Sequence, residues 1–249
     1  MKKIFTLAAA MFAAISMSAQ TPEYVVKIDQ APAANSLEET ENVILLWGDN
    51  CGKGKETKDA ALTALGYEAF VADGGNPTVD ETDNMTPTSG SYQVFKAKNA
   101  GTLKICVSLN ACKEMFIVKG TLDGDLFTGA SRMTDDEMGQ VVTNTDGMTQ
   151  TFGMNVDSKG KEVEHSVAEK CVGFVTLNVA AGDAYAVFCK GSKLGFAGYQ
   201  FTAGGADGIA NVAATAKAEN ARMYNLAGQE VSKNFKGIVI VNGKKFMNK

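Results

Sequence analysis

The stretch TLKICVSLN, residues 102–110, decides the fold class. Leu103, Ile105, Val107 and Leu109 alternate with Thr102, Lys104, Cys106, Ser108 and Asn110. Successive side chains of a strand point to opposite faces, so this period of two predicts a strand with one face in a core. Residues 115–119, MFIVK, follow a short turn at 110–113, and the spacing predicts a hairpin. A second predicted hairpin joins residues 171–179 to 184–189 through Ala180-Ala181-Gly182-Asp183. Its register decides whether Cys171 and Cys189 share a face: a three-residue loop brings them within reach of a disulfide, and a four-residue loop separates them.

Working outward, EYVVKID at 23–29 and VILLW at 43–47 read as strands. Residues 56–65 switch to helical spacing, with Ala60, Ala61, Leu62, Ala64 and Leu65 along one side and Gly66 as the stop. Residues 73–90, rich in Gly, Pro, Asn, Thr and Asp, predict a long surface loop. In KLGFAGYQF, residues 193–201, Gly195 and Gly198 mark a kink or a close backbone approach in the last strand of the body. Many short strands with few helices and glycine-rich turns predict an all-β chain: a jelly-roll β-sandwich with one short helix, plus a small C-terminal β-hairpin module.

The two ends differ from this body. Lys2 and Lys3 precede an apolar run of about a dozen residues at 4–15, too short to span a bilayer. Ser16, Ser18 and Ala19 then provide the small residues of a cleavage site, after Ser18 or after Ala19. Residues 1–19 therefore read as a secretory signal peptide. The first cysteine is Cys51, so no N-terminal lipid anchor is expected, nor a transmembrane anchor once the signal is removed. The sandwich is expected over 20–202, an Ala/Gly-rich linker over 203–221 and the C-terminal module over 222–249.

The formal charge is −4 overall. Without Lys2 and Lys3 it is −6, and residues 209–249 carry +5 of their own, which leaves −11 on the body. An acidic body argues against nucleic acid as a partner, because phosphate backbones are held by clustered Lys and Arg. The five cysteines show neither CxxC nor zinc-ligand spacing, and the only histidine, His165, sits in a polar stretch and reads as an exposed loop residue. No cofactor is implied. Asp123-Gly124-Asp125 and Asp135-Asp136-Glu137 offer oxygen ligands suited to calcium but not the spacing of a calcium loop. GDNCGKGKE at 48–56 lacks the spacing of a phosphate loop. No nucleophile occupies a GxSxG turn, while a pair of glycosidase carboxylates would leave no mark in sequence. Sugars stack an apolar ring face on aromatic side chains. The candidates for such a platform are Trp47, Tyr67, Tyr92 and Tyr199.

MYNLAGQEV at 223–231 and KGIVIVNGKKFMNK at 236–249 resemble the C-terminal sorting domain of the bacterial type IX secretion system. The resemblance rests on Tyr224, Asn225 and Gly228 in the first turn, Gly237 leading an apolar strand, the Asn242-Gly243 turn, and Lys244 and Lys245 opening a basic last strand. Val239 stands where the family places tyrosine. The resemblance implies Sec export to the periplasm, recognition by the type IX machinery and release or display at the outer surface. GSYQVFKAKNAGTLKICV at 90–107 and AGDAYAVFCKGSKLGFAGYQF at 181–201 also resemble jelly-roll modules of secreted Bacteroidetes proteins, many of them carbohydrate-binding. The expected function is non-catalytic binding of glycan or a host surface. The alternatives are a secreted glycan-active enzyme or inhibitor, or a structural envelope component.

Overall fold

The computed structural model describes residues 21–143 and 149–204, and four backbone strands within 223–248. The signal segment, most of the linker, and Gly228, Asn242 and Gly243 lie outside the described residues. The chain divides into two compact units, Met1–Ala206 and Asp207–Lys249.

In chain order the first unit opens with β1 (Tyr24–Val25), β2 (Leu37–Glu39), β3 (Val43–Trp47), β4 (Gly54–Glu56), α1 (Ala60–Ala64) and β5 (Ala69–Val71). It continues with β6 (Thr78–Asp80), β7 (Thr86–Ser89), β8 (Gln93–Ala97), β9 (Gly101–Leu109), β10 (Met115–Asp123) and β11 (Leu126–Arg132). It ends with α2 (Asp135–Met138), β12 (Gln140–Thr143), β13 (Thr149–Thr151), β14 (Gly153–Val156), β15 (Glu162–Ser166), β16 (Cys171–Val179), β17 (Ala184–Cys189) and β18 (Gly195–Ala203).

Two antiparallel sheets form the sandwich. Sheet I is ordered β13-β12-β16-β9-β18-β5-β4, with β1 also paired to β18, and sheet II is ordered β11-β10-β17-β8-β3-β2. The inner four strands of sheet I, β16-β9-β18-β5, and the four of sheet II, β11-β10-β17-β8, have the order and the alternation between sheets of a jelly roll. The alternating face of β9 points inward as expected, with Leu103, Ile105, Val107 and Leu109 at most 1% exposed. They pack with Leu45, Phe95, Ile117, Val187 and Phe196 between the sheets. Each such side chain contributes roughly 1.5–3 kcal/mol by leaving water.

Both predicted hairpins are corrected. β9 pairs with β16 and β18, whereas β10 pairs with β11 and β17, so residues 110–114 carry the chain from one sheet to the other. Residues 180–183 do the same between β16, which pairs with β9 and β12, and β17, which pairs with β8 and β10. Left-handed residues make these sharp crossings, Cys112 (φ 53) in the first and Gly182 (φ 90) in the second. The burial pattern supplies the reason. Every residue of β17 is buried, which requires cover on both faces, as the middle of sheet II provides. Cys171 and Cys189 accordingly lie in opposite sheets, both buried and both free thiols, so no hairpin register relates them.

The outer faces are covered as well. Residues 73–90, expected as a plain loop, contain the β6–β7 hairpin, and Met85 packs with Leu46, Val94, Phe116 and Phe188 on the outside of sheet II. On sheet I, Leu62 of α1 and Tyr67 cover Cys106 and Ala197. The helix is shorter than the expected 56–65 because Asp59 caps it, its carboxylate accepting from the N–H groups of Ala61 and Leu62 at 2.9 and 3.1 Å. A second helix, α2, was not expected, although Thr134 and Glu137 form a capping box of the S/T-x-x-E type.

The second unit is a four-stranded sheet in the order β20-β19-β21-β22, built from β19 (Met223–Asn225), β20 (Glu230–Val231), β21 (Gly237–Val241) and β22 (Lys244–Asn248). Tyr224 and Asn225 lie on β19, Gly237 begins β21, and Lys244 and Lys245 begin β22. Val241 pairs with Lys244, the register of a two-residue hairpin turn.

Candidate functional site

The four aromatic candidates are not displayed as a platform. Trp47, Tyr67 and Tyr199 are at most 1% exposed and Tyr92 is 8% exposed. Trp47 packs edge-on against Phe196 at 5.4 Å, Tyr199 packs against Phe95 at 5.7 Å, and Tyr67 lies over Phe174 at 5.7 Å. Tyr92 belongs to the cluster outside sheet II. A buried ring has no free face for a sugar, and this corrects the reading of these rings as stacking surfaces.

Trp47 nevertheless takes part in a site. It walls a pocket of about 200 Å³ at the lateral mouth of the sandwich, where β1 of sheet I and β2–β3 of sheet II diverge. Tyr24, Lys27, Gln30, Ser36, Glu38 and Val71 share the lining. β1 is held to β18 by bonds from Glu23 N to Tyr199 O and from Val26 N to Ala197 O, both 2.9 Å. The other wall is fixed by a bond from Trp47 N to Ser36 O at 3.0 Å. Gly198 (φ 138), within the β18 bulge, allows β1 to approach: a Cβ there would sit 2.1 Å from Tyr24 O. Tyr24 stacks on Tyr199 at 5.9 Å, and the Tyr199 hydroxyl is 3.1 Å from Thr40 Oγ1.

The indole Nε1 of Trp47 is buried and acts on the Tyr24 hydroxyl without forming a well-aligned hydrogen bond. A buried N–H without any acceptor costs about 1–3 kcal/mol, so an imperfectly satisfied donor beside a pocket gains from a better-placed acceptor. The Tyr24 hydroxyl is near enough to feel the indole, and its pKa is pushed up to about 12, first by burial and then by the negative charge of Glu38, with the indole N–H pulling the other way. The phenol is therefore neutral at physiological pH and can donate or accept. The pocket thus offers the Trp47 N–H and Tyr24 O–H as donors, with the Ser36 hydroxyl, the Gln30 amide and the Glu38 carboxylate at its edge.

A second cleft, of about 420 Å³, lies at the end of sheet I and is lined by Asn76, Ser108, Asn110, Lys170, Ser192 and Lys193 among others. Sequence reasoning identified neither cleft, because each collects residues from distant segments.

His165 lies on β15 with a left-handed backbone (φ 50) and is largely buried, which corrects the reading of an exposed loop residue. Its Nδ1 lies 2.6 Å from Asp135 Oδ1, and its ring packs edge-on to Phe116 at 5.2 Å. Neither contact is a nucleophile. Asp135, Asp136 and Glu137 form the first turn of α2, and Asp123 and Asp125 flank Gly124 in the β10–β11 turn. Among the described residues no three His, Cys, Asp or Glu side chains are grouped to hold a metal ion. None of the described helices is long and apolar enough to cross a membrane.

Comparison of the chain with protein-family models, with curated proteins and with solved structures finds no match.

Proposed function

We propose that this chain is an exported, non-catalytic jelly-roll protein that binds the end of a neutral glycan at the lateral mouth of the sandwich. The observation that carries the binding reading is a pocket that sets Tyr24, Ser36 and Glu38 beside the Trp47 indole, whose Nε1 lacks a well-aligned hydrogen bond. A sugar hydroxyl is both donor and acceptor, so one hydroxyl can take the indole proton while its neighbour gives a proton to Glu38. The volume of about 200 Å³ suits a single sugar ring rather than a buried chain, and Glu38 disfavours an anionic ring. Export rests on the sequence of the two ends: residues 1–19 as the Sec signal, and residues 222–249 as the address read by the type IX machinery, leading to the outer surface or the medium. The separate compact unit formed by the C-terminal strands accords with a module that is recognised apart from its cargo.

A glycan array probed with the full chain lacking residues 1–19, alongside Trp47→Phe and Glu38→Gln, tests the binding reading. Trp47→Phe keeps an aromatic in the core but removes the donor, and Glu38→Gln alters only an exposed side chain. Both variants are expected to weaken neutral-glycan binding about tenfold, as loss of a buried hydrogen bond worth about 1.4 kcal/mol would do. Retained binding by both, with native circular dichroism, sinks this site. Export is tested by fractionating cells that express the chain with and without residues 222–249. Equal recovery in the medium would argue against the sorting reading.

A further inference from the structure

The cleft at the end of sheet I has a different electrostatic character from the lateral mouth. Ser108 comes from β9, Asn110 from the first crossing, Lys170 from just before β16, Lys193 from the turn before β18, Gly195 from the start of β18, and Ala72 and Asn76 from the segment after β5. Its lining holds two cations and no carboxylate, although the body as a whole is strongly acidic. Asp73, which follows Ala72, is taken up by Lys55 at 2.5 Å, with Lys193 acting on it more weakly through space. Lys190, three residues before Lys193, is held outside the cleft by Glu81 at 2.5 Å. The two lining lysines are therefore the cations left to face the cleft. Around them stand side chains that recognise hydroxyls, the amides of Asn76 and Asn110 and the hydroxyls of Ser108 and Ser192. Asn76 is oriented by its own bond, Nδ2 donating to Gly191 O at 3.3 Å, which leaves its carbonyl for a ligand. Gly195 lets the wall pack closely, since a Cβ there would meet Ser108 Cβ at 2.8 Å.

We infer that this cleft binds an acidic polysaccharide segment, its carboxylate placed between Lys170 and Lys193 and its ring hydroxyls on Asn76, Asn110, Ser108 and Ser192. A volume of about 420 Å³ falls within the usual range of ligand sites and exceeds that of the lateral mouth. The lining lacks the aromatic and apolar anchors that protein interfaces use, and recognition in it rests on charge and on hydroxyl contacts rather than on ring stacking. This assignment does not depend on the lateral mouth, since the two sites share no residue.

The test is calorimetric titration of the full chain lacking residues 1–19 with tri-galacturonate, a neutral trisaccharide and inorganic phosphate. Tri-galacturonate is expected to bind at least tenfold more tightly than either of the others, and to weaken severalfold between 0.05 and 0.5 M salt because exposed charges are screened. Lys170→Gln and Lys193→Gln should each weaken it about tenfold, while Lys159→Gln, on an exposed turn away from the cleft, should leave it unchanged. Equal affinity for phosphate would show a site for any small anion and overturn the sugar assignment. Tri-galacturonate binding no tighter than the neutral trisaccharide, or insensitive to both cleft lysines, would overturn the site itself. Because Trp47→Phe leaves this cleft intact, tri-galacturonate binding by that variant separates failure of this assignment from failure of the lateral mouth.

Discussion

Replacing Gly198 with alanine puts a methyl carbon 2.1 Å from Tyr24 O, well inside any tolerable contact, and the obstructing atom is backbone. β1 must then lift away from β18. Lifting it breaks the bonds from Glu23 N to Tyr199 O and from Val26 N to Ala197 O, worth about 1 kcal/mol each. Val26, now 3% exposed, would regain part of its contact with water, and the positive φ of 138 adds about 1–3 kcal/mol of backbone strain. The total is about 3–5 kcal/mol, a drop in melting temperature of about 10 °C for a domain of this size. Gly160→Ala isolates the strain alone, since φ is 79 there and no atom lies within 4 Å of the added carbon. It should cost about 1 kcal/mol. Urea denaturation measures both variants, and hydrogen exchange at the Val26 amide reports whether β1 has detached. A difference below about 1 kcal/mol between the variants, or an unchanged Val26 exchange rate, would refute the account of how β1 is held and with it the frame of the lateral mouth.

Alkaline titration should expose the buried phenols. Burial raises the pKa of Tyr24, Tyr67 and Tyr199, so the folded state keeps protons that the unfolded state loses, and stability present below pH 10 falls as pH rises toward 12. Phenolate absorbance followed together with circular dichroism would contradict this if all six tyrosines ionised near pH 10 in a native protein. Alkylation of the native chain should reach Cys51 and Cys112, which are half-buried, well before Cys106, Cys171 and Cys189, which are buried. Burial also pushes the Cys171 thiol up to about 11 and Cys189 to about 12, which keeps both out of the reactive thiolate form. Mass spectrometry of the labelled peptides decides; Cys106 modified as fast as Cys112 would mean that α1 and Tyr67 do not cover it.

Parts of this structure are legible in the sequence, and the illegible parts share a cause. The inward face of β9 follows from its period, and the close approach at Gly198 from a glycine inside an apolar strand. The β-rich class follows from many such strands. Period tells which face of a strand is buried, but not which sheet the strand joins. The four-residue connection at 180–183 suits a hairpin as well as a crossing, and only the full burial of AYAVFC in β17 distinguishes them. The reading of the aromatic candidates as stacking faces misleads for a related reason. A tyrosine on a strand's inward face has the same local sequence as one on an open face, and Tyr199 is inward because the bulge at residues 196–198 shifts the register of β18. Both clefts gather side chains from segments separated by many residues, and no local motif encodes such a meeting.

The central place of β18 has a consequence in time as well as in space. It joins β9 on one side to β5 and β1 on the other, and it is the last strand of the body. Sheet I therefore stays in separate pieces, β13-β12-β16-β9, β5-β4 and β1, until β18 is available, whatever has formed earlier. Almost every contact that closes it spans a long stretch of chain, a topology that folds slowly compared with one built from local hairpins. The sandwich therefore closes on its last strand, and a chain cut short of β18 would keep sheet II but leave sheet I open.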